Sequence, residues 1–425
     1  MRKIKTIKPT KVGERKNMQN IRTAKNSFIK KNSQSSFRSR GNNRTFGPNR
    51  NSRGKADSKI DINAFIQKNA IKDGAPVKEV VINHKFTDFG FVEPLAENVA
   101  KREYVIPTPI QDQAIEPIMA GRDIIGLANT GTGKTAAFLL PLINKIYQDR
   151  TQKALIIAPT RELALQIEAE LRQFSWGMKI FYTSCVGGLP IGKQIGSLKM
   201  RQDFVIGTPG RIKDLADRGF INFSTFNNVV LDEVDRMLDM GFVDEIRYFL
   251  SKVPAERQSL FFSATMPEKI ARLTESFAKN PVTIKVSSRQ TAENVEQSVV
   301  KVARHEKMAK LQEILGEAGM DKVLIFSETK RDVEKLAVEL AQRGFSAESI
   351  HGDKRQGQRQ KALKDFKDER VKILVATDVA ARGLDIKDVS HVINYTTPKT
   401  YDDYVHRIGR TGRGHSTGIA LTFVE

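Results

Sequence analysis

One cysteine, Cys185, and one tryptophan, Trp176, occur in 425 residues. A lone cysteine can close no intramolecular disulfide and has no obvious partner as a metal ligand or nucleophile, so it reads as a core residue in a reducing interior. Long hydrophobic runs are missing as well. The longest, AAFLLPLI from Ala136 to Ile143, falls far short of the ~20 residues a membrane span needs. The expectation is a soluble, cytoplasmic protein without a membrane partner, taken as a monomer. No apolar stretch follows the basic N-terminus as a secretory signal would require, although a basic, serine-containing, acid-poor start also resembles an organellar transit peptide.

Acidic residues are scarce at one end only. Residues 1–60 hold 18 Lys or Arg against 2 acids, a charge of +16 within the net +21, and the rest of the chain carries +5. This stretch is rich in Asn, Ser, Arg and Gly, with Phe28, Phe37 and Phe46 scattered singly, and it cannot bury enough apolar surface to offset the entropy of ordering. A disordered tail over residues 1–82 is expected. Basic arms with interspersed aromatics suit nucleic-acid backbones and exposed bases; a purely solubilising tail is the alternative.

Further on, short apolar runs alternate with helix-length segments: DIIGLA (123–128), ALIIAP (154–159), DFVIG (203–207), NVVL (228–231) and SLFFSA (259–264). A second series follows, with KVLIFS (322–327), SAESIHG (346–352), KILVAT (372–377), HVINY (391–395) and GIALTFV (418–424). Continuous apolar runs imply strands buried on both faces, and their alternation with helices implies parallel sheets. Two α/β domains are expected, joined by the polar stretch SSRQTAENVEQ, residues 287–297. Thr329 with Asp332 forms a capping-box pattern ahead of an amphipathic helix.

Sites in such sheets form beyond the carboxyl ends of the strands. After DIIGLA comes ANTGTGKT, residues Ala128, Asn129, Thr130, Gly131, Thr132, Gly133, Lys134 and Thr135. It is a phosphate loop with Ala in place of the usual first Gly: backbone amides cradle phosphate oxygens, Lys134 reaches the β and γ phosphates, and Thr135 holds Mg²⁺. NVVLDEVDRMLDMGF, residues 228–242, then crowds Asp232, Glu233 and Asp235 at the end of a buried strand, which is costly unless a positive partner offsets them. The expected partner is Mg²⁺ with its nucleotide, Asp232 holding the metal and Glu233 orienting and deprotonating the attacking water.

From about Phe86 to the C-terminus, roughly four-fifths of the chain, the sequence resembles the DEAD-box RNA helicases. YVIPTPIQ (104–111) looks like the Q motif with Phe86 upstream of it; PTRELA (159–164), GG (187–188), TPGR (208–211), SAT (263–265), IFSETK (325–330), QGQR (356–359), ATDVAARGLD (376–385) and HRIGRTGR (406–413) follow in family order. The resemblance implies two tandem RecA-like P-loop domains with parallel sheets behind the basic tail. Residues 83–286 would form the ATP-binding domain and 298–425 the C-terminal domain. It implies an RNA-dependent ATPase that separates short RNA duplexes or remodels RNA–protein complexes, with ATP and Mg²⁺ as cofactors and RNA as partner. A clamp or chaperone with weak unwinding and a DNA-acting motor of the same superfamily are the alternatives.

Gln111 would read adenine's N6 and N7 while Phe86 packs on the base. By the same resemblance Asp385 contacts the ribose, and Arg410 and Arg413, three residues apart and placed on one helical turn, act as arginine fingers. Asp235, Ser263, Thr265 and His406 couple hydrolysis to closure. Thr160, Arg161, Gly188, Thr208, Gly210, Arg359, Thr377 and Asp378 fall where the family grips RNA, mainly through phosphates and sugars, which carry little sequence information.

Four departures stand out. Val234 replaces the Ala of the acidic motif, where two extra methyls would cost about 1–3 kcal/mol if the neighbours did not adjust. Glu103 and Tyr104 stand where Gly and Phe are common, and Thr396 stands where an Asp is common, a change that bears on that motif's interdomain contacts. The sequence stops at Glu425, so the last strand or its face is expected to be poorly covered. Deleting residues 1–60 is expected to weaken RNA binding and to flatten its salt dependence by ~0.7 in the log–log slope per lost phosphate contact, with ATP turnover at saturating RNA intact. Titrations at several salt concentrations measure this, and an unchanged affinity and slope would leave the tail a solubiliser.

Overall fold

The computed structural model describes residues 62, 81–129, 131–286, 295–381, 386, 389–412 and 417–425. Most of the expected tail, Thr130, residues 287–294 of the expected linker, Asp385 and Arg413 lie outside the described residues. Ile62, which falls within the expected tail, is buried.

The first group of strands is β1 Ile124–Leu127, β2 Ala154–Ile157, β3 Tyr182–Cys185, β4 Phe204–Gly207, β5 Asn228–Asp232, β6 Gln258–Ser263 and β7 Val282–Lys285. The second is β8 Val295–Lys301, β9 Val323–Phe326, β10 Ala347–Ile350, β11 Ile373–Ala376, β12 His391–Asn394 and β13 Gly418–Val424. Among the described residues they form two sheets, ordered β3-β4-β2-β5-β6-β1-β7 and β10-β11-β9-β12-β13-β8. Every pairing within them is parallel.

The continuous apolar runs have a simple cause. In the first sheet Ile124, Ile156, Val230 and Leu260 enter one core, whereas their neighbours Ile125, Leu155, Val229 and Phe261 enter another on the opposite face. The second sheet repeats this, Val323 and Ile373 on one side and Leu324 and Leu374 on the other. Strands covered on both faces lose the polar alternation of a half-solvated sheet. The strands that sequence patterning missed, β3, β7 and β8, are all edge strands, and their partly exposed residues, as in YTSC and VTIK, break the apolar run.

Two expectations need correction. Val295, Glu296 and Gln297, assigned to the linker, open β8. The last strand is well covered, because β13 lies between β12 and β8 and buries Phe423 completely. Thr329 does cap the helix Lys330–Gln342, accepting the Asp332 N–H at 3.1 Å, but its hydroxyl also donates to the Asp332 carboxylate at 2.6 Å. Val234 is fully buried in the core that also holds Leu231 and Met237, so the added methyls are packed.

Glu103 has φ 59°, the left-handed region that favours glycine. A carboxylate side chain therefore occupies a backbone position suited to Gly. Glu103→Gly is expected to stabilise the fold by about 1 kcal/mol, since it removes the left-handed steric penalty. A higher urea midpoint for the variant would show it, and a lower one would mean that the extra chain entropy outweighs the relief.

Candidate functional site

The carboxyl ends of β1, β6 and β5 lie side by side, with Leu127 opposite Ser263 and Asp232 opposite Phe262. The turn after β1 therefore faces the acids after β5. Gly131 and Gly133 have φ 88° and 93°, and a Cβ on Gly133 would collide with the Gln111 amide nitrogen. Only glycine fits there. Lys134 is buried and its Nζ donates to the Ala128 carbonyl at 2.9 Å, closing the loop on itself; Thr132 Oγ1 donates to the Asn129 carbonyl at 2.8 Å. The Ala128 N–H donates to the Ser263 carbonyl at 3.0 Å, which ties the loop to the SAT segment.

Gln111 takes part in this arrangement. Its Nε2 donates to the Gly133 carbonyl at 3.0 Å, and its Oε1 accepts the Thr108 N–H at 2.9 Å, capping the helix Pro109–Met119. One amide hydrogen and one lone pair remain beyond those two bonds. Phe86 is buried, edge-on to Tyr104 with ring centres 5.3 Å apart and to Phe89 at 5.9 Å.

Asp232, Glu233 and Asp235 are all buried. Burial pushes the Asp232 carboxyl up to about 7, against the pull of Lys134 and with the like charge of Glu233 adding to it. Its Oδ1 has no hydrogen-bond partner. Glu233 sits at φ 55°, a strained backbone for a non-glycine residue and one that recurs at functional sites. Burial alone would raise it, but Arg236, Lys134 and Arg410 hold it below the usual carboxylate range. Arg236 Nη1 pairs directly with Glu233 Oε2, and both side chains are buried. Asp235 is likewise held low against burial, by Lys134, by the Thr265 N–H and by His406. Its carboxylate accepts the N–H groups of Ala264 and Thr265, both at 2.9 Å, and the Thr265 hydroxyl at 3.2 Å, while the Ser263 hydroxyl accepts its N–H at 3.3 Å.

The chain therefore supplies positive partners of its own, from both sheets. Patterning missed Arg236, although its i+3 spacing from Glu233 across a helix start was readable. Arg410 is almost fully buried. It follows the helix Tyr401–Ile408, not on the helical turn expected for it, and residue 413 lies outside the described residues.

On the other half of the first sheet, the loops after β2 and β4 line a cleft of about 380 Å³ with Thr160, Arg161, Thr208 and Gly210. The second sheet contributes Gly352, Arg359 and Val379 to the same wall. Thr160 also caps the helix Arg161–Phe174. Gly188, at φ 77°, lies under Arg161, where a Cβ would strike the guanidinium. Glu162 joins the two sides: it accepts from Gln356 Nε2 at 3.0 Å and pairs with Arg359 Nη2 at 2.9 Å, all three side chains being buried. Glu162 and Gln356 were inside the quoted motifs but not singled out. Thr377 is buried and its hydroxyl accepts the Ala380 N–H at 3.4 Å. Asp378 is engaged from both oxygens by Arg407, at 2.6 and 2.8 Å. Arg407 also donates to the Thr396 carbonyl at 2.7 Å, and the Thr396 hydroxyl is buried without a partner.

A glycine-rich loop closed by a buried lysine, facing acids that an arginine from a second parallel sheet also reaches, defines a two-domain P-loop nucleoside triphosphatase. A profile described as DEAD/DEAH box helicase matches residues 108–273 and one described as helicase conserved C-terminal domain matches 306–415. The chain belongs to the DEAD-box family of ATP-dependent RNA helicases. It is 47% identical over 343 residues to the ATP-dependent RNA helicase CshA of Listeria monocytogenes, covering 80% of this chain and 66% of that one. It is 44% identical over 341 residues to the DEAD-box ATP-dependent RNA helicase CshA of Bacillus subtilis, covering 80% and 69%. The chain thus spans about two thirds of the length of these curated relatives. Among solved structures, S. cerevisiae Dbp5 bound to RNA and ADP BeF3 matches with 29% identity and a TM-score of 0.73 over 81% of this chain and 90% of that one. Mss116p bound to ssRNA and AMP-PNP matches with 30% identity and a TM-score of 0.74 over 82% and 76%.

Removing one partner of a buried ion pair strands the other charge. Arg236→Leu is expected to destabilise the protein by about 3 kcal/mol, and Glu233→Gln in the same chain to recover most of that loss. Urea unfolding of the two variants checks it; equal stability of Arg236→Leu and the parent would show the pair to be energetically idle.

Proposed function

We propose that this helicase acts by local strand separation, or by the equivalent remodelling of RNA–protein complexes. ATP between the two sheets and RNA in the neighbouring cleft draw the domains together, one strand of a short duplex is lost, and hydrolysis with phosphate release reopens the cleft. The observation that carries this reading is the buried contact of Glu162 with Gln356 and Arg359, which joins the two sheets within the cleft wall. The Dbp5 and Mss116p structures hold RNA together with a nucleotide, which supports RNA in the cleft of this chain. A cytoplasmic monomer is part of the proposal; among the described residues no helix is long and apolar enough to cross a membrane.

In this reading the amides of residues 128–133 cradle phosphates, and Lys134 exchanges the Ala128 carbonyl for the β and γ phosphates. The donor set suits magnesium: Asp232 offers a buried carboxylate oxygen without a partner, and the Thr135 hydroxyl would be the second ligand. Bound there, magnesium would neutralise phosphate charge. Glu233 orients the attacking water and takes its proton, Arg236 holding the carboxylate ionised until then. Arg410, with Arg413, stabilises charge on the transferred phosphoryl group.

Gln111 uses its remaining hydrogen and lone pair on adenine, Phe86 backs the base, and Asp385 contacts the ribose. Asp235 couples this site to Ser263 and Thr265 on one side and to His406 on the other. Thr160, Arg161, Thr208, Gly210 and Arg359 take RNA phosphates and sugars, with Gly188 allowing Arg161 its place. Thr377 shapes the turn, and Asp378 acts through Arg407.

ATP turnover measured with RNA, with DNA and without nucleic acid, for the parent and for Arg410→Ala, tests the proposal. RNA is expected to stimulate the parent well above DNA. Arg410→Ala is expected to keep ATP binding and to lose about 10³-fold of RNA-stimulated turnover, ~4 kcal/mol of transition-state stabilisation. Stimulation by DNA equal to that by RNA would favour a DNA motor, and normal turnover of the variant at saturating RNA would remove Arg410 from the catalytic group.

A further inference from the structure

The end of the first sheet opposite the cleft carries a surface the mechanism leaves unused. Trp176, the chain's sole tryptophan, is 73% exposed, Met200 72% and Phe181 48%. Phe181 directly precedes β3, Met200 lies four residues before β4, and Trp176 two residues after the helix Arg161–Phe174. That helix begins beside Thr160 in the cleft, and its 14 residues carry the chain on the order of 20 Å away at 1.5 Å per residue. A nucleotide held by Thr160 is therefore too distant to touch Trp176.

Asp203 holds this end together. It is buried, and its carboxylate accepts the Phe181 N–H at 2.9 Å and both Nε and Nη2 of Arg201 at 3.1 Å. Arg150 lies 3.9 Å from the same carboxylate and donates to the carbonyls of Met178 and Lys179, at 3.1 and 3.3 Å. One carboxylate thus fixes the start of β3, the arm bearing Met200 and the turn after Trp176, while Lys179 and Lys199 stay exposed.

Exposed large apolar side chains gathered in one place mark interaction surfaces. Aromatic faces set among Lys and Arg suit a single strand of nucleic acid, whose bases stack on the rings while phosphates meet the cations. Lys179, Lys199 and Arg201 are exposed here; Asp203 is buried and paired, and the exposed Asp149 beside Arg150 has its carboxylate taken up by Thr151 and Gln152, so cations outnumber free acids around these described residues. RNA already held in the cleft would present its own distal segment at high effective concentration. Glu168 and Glu170 lie on the intervening helix, so the strand reaches this face by looping, not by tracking along the helix.

We propose that this face is a second, sequence-tolerant contact for single-stranded RNA, with a base stacked on Trp176 and flanking phosphates on Lys179, Lys199 and Arg201. The lone tryptophan makes the test direct. Indole emission of the full chain is followed during titration with an RNA of about 6 nucleotides, within the size of one site, with one of about 25 nucleotides, and with polyglutamate. The longer RNA is expected to quench the emission, and stoichiometric short RNA and polyglutamate to leave it unchanged. Trp176→Ala is expected to lose about tenfold in affinity for the longer RNA, the share of one stacked base, while keeping its affinity for the short one and its turnover at saturating short RNA. Trp176→Phe is expected to retain most of the affinity because a ring remains. Equal quenching by both RNAs would mean that emission follows cleft occupancy and would overturn the second site. Quenching by polyglutamate would overturn the stacking in favour of an acidic protein partner, and no quenching by any probe would remove the surface altogether.

Discussion

Three buried carboxylates at the end of one strand are the constraint around which the rest is arranged. Asp232, Glu233 and Asp235 repel one another and are cut off from water, and a cluster of that kind survives only if charge of the opposite sign is brought to it. Lys134 comes from the phosphate loop, Arg236 from one turn further along the same segment, and His406 and Arg410 from the far sheet. Charge balance among these acids therefore depends partly on how the two sheets meet. In the proposed reading ATP would bring further negative charge to Lys134 and Arg410, linking nucleotide binding to the position of the second domain.

The first sheet divides its work by strand. In the proposed reading, loops after β1, β5 and β6 hold the nucleotide motifs and loops after β2, β3 and β4 the RNA-facing ones. The boundary falls between β2 and β5, which pair directly. Communication across it does not need a long path. Asp235 locks the SAT segment on the nucleotide side, and Glu162 meets Gln356 and Arg359 on the RNA side. Both contacts involve buried groups, so neither side can shift without stranding polar atoms.

The departures from the family pattern show how much each position tolerates. Val234 is fully buried in the same core as Leu231 and Met237. Glu103 is accommodated at a left-handed backbone position by an exposed loop that asks nothing of its side chain. Thr396 serves Arg407 through its carbonyl, a bond any residue could supply, while its hydroxyl is left without a partner.

The strands buried on both faces, the phosphate loop and the acidic motif were legible because local chemistry dictates them: runs such as ALII need cover on both sides, and GTGKT needs glycines where the loop turns. Motif alone pointed to Gln111 and Lys134, and the structure brings both onto the glycine-rich loop, at the Gly133 and Ala128 carbonyls. The edge strands β3, β7 and β8 were not legible, since half-exposed residues carry no continuous apolar signal. Nor were the partners of each charge. That Arg236 closes on Glu233, that Asp378 is taken by Arg407, that Glu162 reaches across to Arg359, and that Trp176 is left outside at the far end of a helix are facts of three-dimensional proximity. Sequence order determined which groups were present and which turns they sat on; only the packing of two sheets decided which of them meet, because Coulomb and hydrogen-bond energies depend on distances that patterning along a chain does not encode.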